Sequence, residues 1–242
     1  MSKKLILSIL LVLCVVVAAQ AEEAMPAQEP KVLQLALFDP VQIVPADQSI
    51  AGVRLGLLYT LNKNVSGFSL TLGVDRTSAD FKGVELSLVN WVGGLFYGWQ
   101  AGVVNRTATR FVGLQDGLVS VTEGDLTGMQ TGAVSWTEGF LHGWQNGWLA
   151  YTKGRFIGLQ TGIVNVSRGD LSGVQLSAVN YNDGALCKGF QAGIFNYAAE
   201  MQGFQLGLIN VTKKLNGLQI GLGNYNGSKQ PFEFLPIANW SF

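Results

Sequence analysis

Polar and apolar residues alternate along most of this chain on a fixed beat. Glycine recurs at Gly52, Gly67, Gly83, Gly98, Gly113, Gly128, Gly143, Gly158, Gly173, Gly189, Gly203 and Gly217, eleven intervals that span 165 residues with a mean period of 15. Counted from that glycine, the unit reads Gly, apolar, Gln, variable, Gly, apolar, apolar, Asn, as in Gly158-Leu159-Gln160-Thr161-Gly162-Ile163-Val164-Asn165. A period of two puts the glycines and Gln on one face and the apolar residues on the other, which is the strand signature. The many interior glycines argue against helix. Connectors such as Thr122-Glu123-Gly124-Asp125 and Ser167-Arg168-Gly169-Asp170 are polar and glycine-bearing, as tight turns require. One period therefore predicts a strand of about ten residues and a turn of about four or five.

Nine of the twelve units carry the glutamine: Gln100, Gln115, Gln130, Gln145, Gln160, Gln175, Gln191, Gln205 and Gln219. The three earliest have Arg54, Ser69 and Glu85 instead, so the array is degenerate at its N-terminal end, as terminal repeats often are. An apolar segment, Val32–Phe38 with Val41–Val44, precedes the array, and Phe232–Phe242 follows it. One strand before and one after the twelve predict an all-β domain of about fourteen strands.

Two architectures fit a one-strand repeat. The expected one is an antiparallel meander closed into a shallow barrel, which removes sheet edges and matches the even strand number of single-chain outer-membrane barrels. The alternative is a parallel β-solenoid, in which identical residues stack directly, so that Gln and Asn form ladders along the axis. Against the solenoid, a ten-residue strand leaves only about five residues for the return within one coil. The two part cleanly at Ser135 and Ala150, on opposite rims of a barrel but stacked neighbours in a solenoid. Aromatic residues near both strand ends, Phe81, Phe96, Phe111 and Phe156 before the glycine and Trp91, Trp136, Tyr151, Tyr181, Tyr197 and Tyr225 after the apolar pair, read as interfacial girdles or as plain covering of the ends of a soluble barrel.

The tandem Gly-apolar-Gln-x-Gly-apolar-apolar-Asn units, with the terminal Trp240 and Phe242, resemble bacterial surface-repeat proteins over roughly residues 31–242. The resemblance implies a surface or outer-membrane location and no catalytic activity. Lys3 and Lys4, the apolar run Leu5–Ala19 and the small-x-small triplet Ala19-Gln20-Ala21 predict a signal peptide over 1–21 cleaved before Glu22. Residues 22–31 then form a short linker and 32–242 a single β-repeat domain, its units covering 52–231. The mature chain carries 14 Lys and Arg against 16 Asp and Glu, a formal −2, so nothing draws it to nucleic acid. Of two cysteines only Cys187 survives cleavage, which excludes an internal disulfide.

Candidate chemistry is sparse. The lone histidine, His142, takes a place that other units give to Val112, Thr127 or Ile157, and no nucleophile elbow, phosphate loop or zinc spacing occurs. The expectation is a non-enzymatic envelope or surface scaffold without cofactor, a narrow pore or binding module, its partners envelope components. The alternative is a soluble exported solenoid that binds a partner along its repeat face. Two candidate sites follow. The Gln row either lines a polar lumen or satisfies itself across strands. The fourth position, apolar in many units, becomes Asp116, Thr131, Asn146 and Thr161 in four successive ones, a candidate docking patch. The turn acids Glu123, Asp125, Glu138 and Asp170 suit calcium only weakly and solvated turns better.

Overall fold

The computed structural model describes residues 29–242, so the expected signal peptide, its cleavage site and Cys14 lie outside the described residues. The strands are β1 (Lys31–Phe38), β2 (Val41–Gln42), β3 (Ile50–Gly56), β4 (Tyr59–Asn62), β5 (Val65–Thr77), β6 (Phe81–Val92), β7 (Phe96–Thr107), β8 (Phe111–Thr122), β9 (Leu126–Thr137), β10 (Leu141–Thr152), β11 (Phe156–Ser167), β12 (Leu171–Asn182), β13 (Cys187–Asn226) and β14 (Phe234–Ser241). From β3 to β13 every pairing is parallel and in register, glycine on glycine and Gln on Gln. Ser135 pairs directly with Ala150. The chain is a parallel β-solenoid, one unit per coil, and the expected antiparallel barrel is wrong.

The barrel expectation failed on one assumption, that a strand is straight. Each coil holds a twelve-residue strand and a turn of about three residues, for example Leu141–Thr152 followed by Lys153-Gly154-Arg155. That strand folds over within itself. Gly147 pairs with Gly162 and Leu149 with Val164, but Trp148 and Ile163 between them drop out of the ladder. Rows six and seven, numbered from the unit glycine, then both point outward. One strand thus makes both sides of its coil, and no long return is needed. Variations in period are absorbed at the turns: β13 runs 40 residues because its turns, at Ala199-Glu200 and Lys213-Lys214, are a residue shorter.

The row-one glycine is needed for both of its special properties. In all twelve units its φ lies between +127° and +153°, a region closed to residues with a Cβ. An added Cβ on Gly143 would overlap the carbonyl oxygen of Gly128 in the coil below, and the same clash recurs from coil to coil.

Four rows point inward. Row 14, two residues before the glycine, is an apolar column that includes Phe81, Phe96, Phe111, Leu126, Leu141 and Phe156, all at 0% exposure. Phe81, Phe96 and Phe111 stack with centroids 5.1 and 4.8 Å apart and planes within 5°. These phenylalanines form the core and are no interfacial girdle. The row-nine aromatics do lie outside, with Trp136 on Tyr151 and Tyr181 on Tyr197 stacked in pairs. The remaining inward rows, three, eight and ten, are mostly polar, with Val92, Ala150 and Ala198 as apolar members. Both ends of the sheet reverse direction: β2 pairs antiparallel with β1, and β14 pairs antiparallel with the last turn of β13.

Candidate functional site

The glutamine row lies in the interior, and all nine members are fully buried. Stacking at the interstrand spacing brings each amide within reach of the next. Gln115 Nε2 donates to Gln100 Oε1 at 2.8 Å, Gln130 to Gln115 at 2.8 Å, Gln145 to Gln130 at 2.8 Å, and so on to Gln219 on Gln205 at 2.7 Å. The row-ten hydroxyls add to the same oxygens, as Thr152 does to Gln145 at 3.0 Å, and backbone carbonyls such as Tyr151 O take the second amide proton. The amides are used up on one another and on their surroundings and are not offered to a solute.

Row eight carries a second ladder, the asparagine stack that the solenoid alternative implied. Asn165 Nδ2 donates to Asn180 Oδ1 at 3.1 Å, Asn180 to Asn196 at 2.8 Å, Asn196 to Asn210 at 2.8 Å and Asn210 to Asn224 at 2.8 Å. The glutamines donate toward the N-terminus and the asparagines toward the C-terminus, so the two lines of amide dipoles oppose one another. Row-eight side chains also hold the row-four carbonyl of the next coil, as Asn105 does Asp116 O at 2.6 Å and Ser135 does Asn146 O at 2.7 Å. That bond supports the strand where the backbone ladder is interrupted by the bend. The consensus Asn at the eighth position of the unit was the available signal.

At the N-terminal end the ladder gives way to a buried ionic cluster. Arg54 sits in the Gln row, with Asp75 in the Asn row and Glu85 two coils up, all three at 0% exposure. Arg54 Nη2 pairs with Asp75, lies 3.6 Å from Glu85 Oε1, and Arg54 Nε donates to Ser69 Oγ at 2.8 Å. Hydroxyls of Ser69, Thr60 and Thr71 complete the shell around Asp75. Glu85 Oε2 accepts from Gln100 Nε2 at 2.8 Å, while Oε1 has no hydrogen-bond partner. Burial, and then the neighbouring Asp75 carboxylate, push the Glu85 carboxyl well above the usual carboxylate range. The cluster is shut off from solvent, so it reads as an element of the core.

The outside carries the surface available for binding. Row six is apolar and exposed from coil to coil: Leu72, Leu88, Leu118, Trp148, Ile194 and Leu222 are 56% to 73% exposed. Row two is also apolar, from Val53 and Phe68 through Trp99 and Trp144 to Leu218. Cap strand β1 extends the face with Leu33, Leu35 and Leu37. Among rows two, four and six the single formal charge is Asp116. The candidate patch lies in row four, where the parallel register stacks Asp116, Thr131, Asn146 and Thr161 in one line. Thr131 Oγ1 donates to Asp116 Oδ1, Thr161 Oγ1 to Asn146 Oδ1 at 2.8 Å, and Trp144 Nε1 to Thr161 Oγ1 at 2.9 Å. Rows two and six thus leave a long apolar surface on the outside of the fold, interrupted in row four by these polar side chains.

Charges gather at the turns. Asp80, Asp125 and Asp170 each accept the backbone N–H of the next coil's turn, at Leu95, Phe140 and Leu186, at 2.8 to 3.0 Å. Glu123 pairs with Arg106 and Glu138 with Lys153. The turn acids are thus engaged as caps and surface ion pairs. His142 is exposed and lies against Phe140. Cys187 is buried in row 14, and desolvation pushes its thiol up to about 12. No protein-family model, curated protein or solved structure matches the chain.

Proposed function

We propose that the chain is an exported, non-enzymatic β-solenoid scaffold that binds a macromolecular partner along its apolar repeat face. The observation that carries this reading is the face itself, rows two, four and six over the full length of the solenoid with one formal charge. Three further features support it. Most interior polar groups are spent on one another, the acidic turn groups on caps and ion pairs, and the sequence opens on a secretion signature. The resemblance to bacterial surface-repeat proteins supports a location in the cell envelope or outside the cell.

The test compares two single substitutions, Ile163→Cys in row six and Lys188→Cys in row 15, in native envelope extract. Cys187 needs no replacement, because a buried thiol with a raised pKa does not react. With a bulky maleimide, the thiol introduced at position 188 reacts at once and the one at position 163 is protected. Equal reaction at both positions overturns the reading.

A further inference from the structure

Resting on that reading, we propose that the occupant of the apolar face is a second copy of this chain, packed antiparallel about a two-fold axis at Thr131. Three observations converge on it.

The first is area. From β1 to the last coil the face runs about 58 Å, and rows two to six span about 13 Å, giving roughly 750 Å² per copy. A standard specific interface takes about 800 Å² from each partner.

The second is symmetry. Row four, counted from Leu35 of β1 to Ile220, holds thirteen stacked residues, of which Thr131 is the seventh. A two-fold contact brings a surface against itself. An axis through Thr131 sets the apolar ends of row four on one another and confines the polar residues to the centre.

The third is chemistry. That axis places Asp116 opposite Asn146 of the second copy, and Asn146 opposite Asp116. Asp116 is exposed and acceptor-only. Asn146 Oδ1 is taken by the Thr161 hydroxyl, and among the described residues its Nδ2 has no acceptor. Donor meets acceptor twice. A parallel dimer would set Asp116 against Asp116, and a lipid surface would bury that carboxylate with only the Thr131 hydroxyl to answer its charge.

Sedimentation of the purified mature chain at micromolar concentration gives a dimer. Spin labels at Thr131→Cys then lie within about 20 Å of one another, and at Leu206→Cys, five coils from the axis, about 48 Å apart. Short distances at both positions overturn the antiparallel arrangement. Asn146→Asp, which opposes two carboxylates, weakens the dimer on the order of tenfold or more. Adding Asp116→Asn restores it, and failure of that exchange to rescue overturns the pairing. A monomer whose Ile163→Cys variant is nonetheless protected in envelope extract, or which partitions onto phospholipid vesicles, overturns the dimer and leaves the binding face standing. A monomer whose Ile163→Cys variant reacts fully overturns both.

Discussion

The first three coils and the nine that follow solve the same problem in different ways. Both must bury a polar residue in row three, but in the body each is a glutamine and at the start they are Arg54, Ser69 and Glu85. An amide carries donor and acceptor together, so one glutamine satisfies the next and the pattern extends without limit. Ions do not repeat in this way, because like charges at the interstrand spacing repel. The ionic segment is therefore a closed group, in which Arg54 is answered by Asp75 and a shell of hydroxyls. Glu85 is the joint: one oxygen accepts from the first glutamine and the other is left without a hydrogen bond. The difference teaches that a homogeneous ladder is open-ended, whereas an ionic one stabilises a particular place in the chain.

The sharpest way to break that comparison is Arg54→Ala. It strands two buried carboxyls, and the loss expected is about 3–5 kcal/mol, read from urea unfolding. A loss under about 1 kcal/mol would mean that water enters the N-terminal coils. Next comes Gln145→Leu in the middle of the ladder. It removes the donor to Gln130 and the acceptor for Gln160 together, for an expected cost of about 2–4 kcal/mol. If the ladder is cooperative, Gln145→Leu combined with Gln130→Leu costs less than the sum of the two singles in a double-mutant cycle.

The smallest effect, and the most diagnostic, is Glu85→Gln. The Glu85 carboxyl titrates above its unfolded value, so across that window the folded chain holds a proton that the unfolded chain has lost, and stability falls as pH rises. Replacing it by the neutral isostere extends the amide ladder by one coil. The variant is then more stable than the parent above the window and flat in pH across it, by on the order of 1 kcal/mol in pH-dependent thermal unfolding. Identical pH profiles would show that Glu85 stays ionised beside Arg54.

Much of this was legible in the chain. The twelve glycines and nine glutamines marked the unit and its period, and the alternation correctly separated the Gln side from the apolar side. The path of the strand was lost at rows six and seven. Two successive apolar positions, as at Trp148-Leu149, interrupt strict alternation, and that is the mark of a bend in a strand. Taken as a straight strand, the unit looked too long to return within its own coil. The inversion of a polar inside and an apolar outside also defies the usual order. It stands because the glutamines of row three and the asparagines of row eight find partners in the neighbouring coils. The Arg54–Asp75–Glu85 cluster looked like decay of the motif, though opposite charges in one row two coils apart were a sign that the departures belong together. Phe81, Phe96 and Phe111 looked like girdle residues because their place two residues before the glycine was not recognised as inward.

The reversed strands at the two ends bear on how long such an object grows. A parallel, in-register edge is a template: any identical coil that meets it gains a full set of backbone bonds, and rods of this kind elongate into filaments. In this chain β14 closes that edge along the last coil, while at the other end β2 covers β1 only at Ala36 and Phe38. β2 and β14 run against the grain of the sheet, and β14 carries Pro236 next to Ile237 at φ +68°, where the ladder skips a step. Proline and irregular backbone on an edge strand deny an incoming chain its hydrogen bonds. Beneath β14, Gln219 Oε1 is left without a partner, a hook on which a further amide would hang. The reversal covers that hook, and at this end the parallel template that the repeat would otherwise offer is closed.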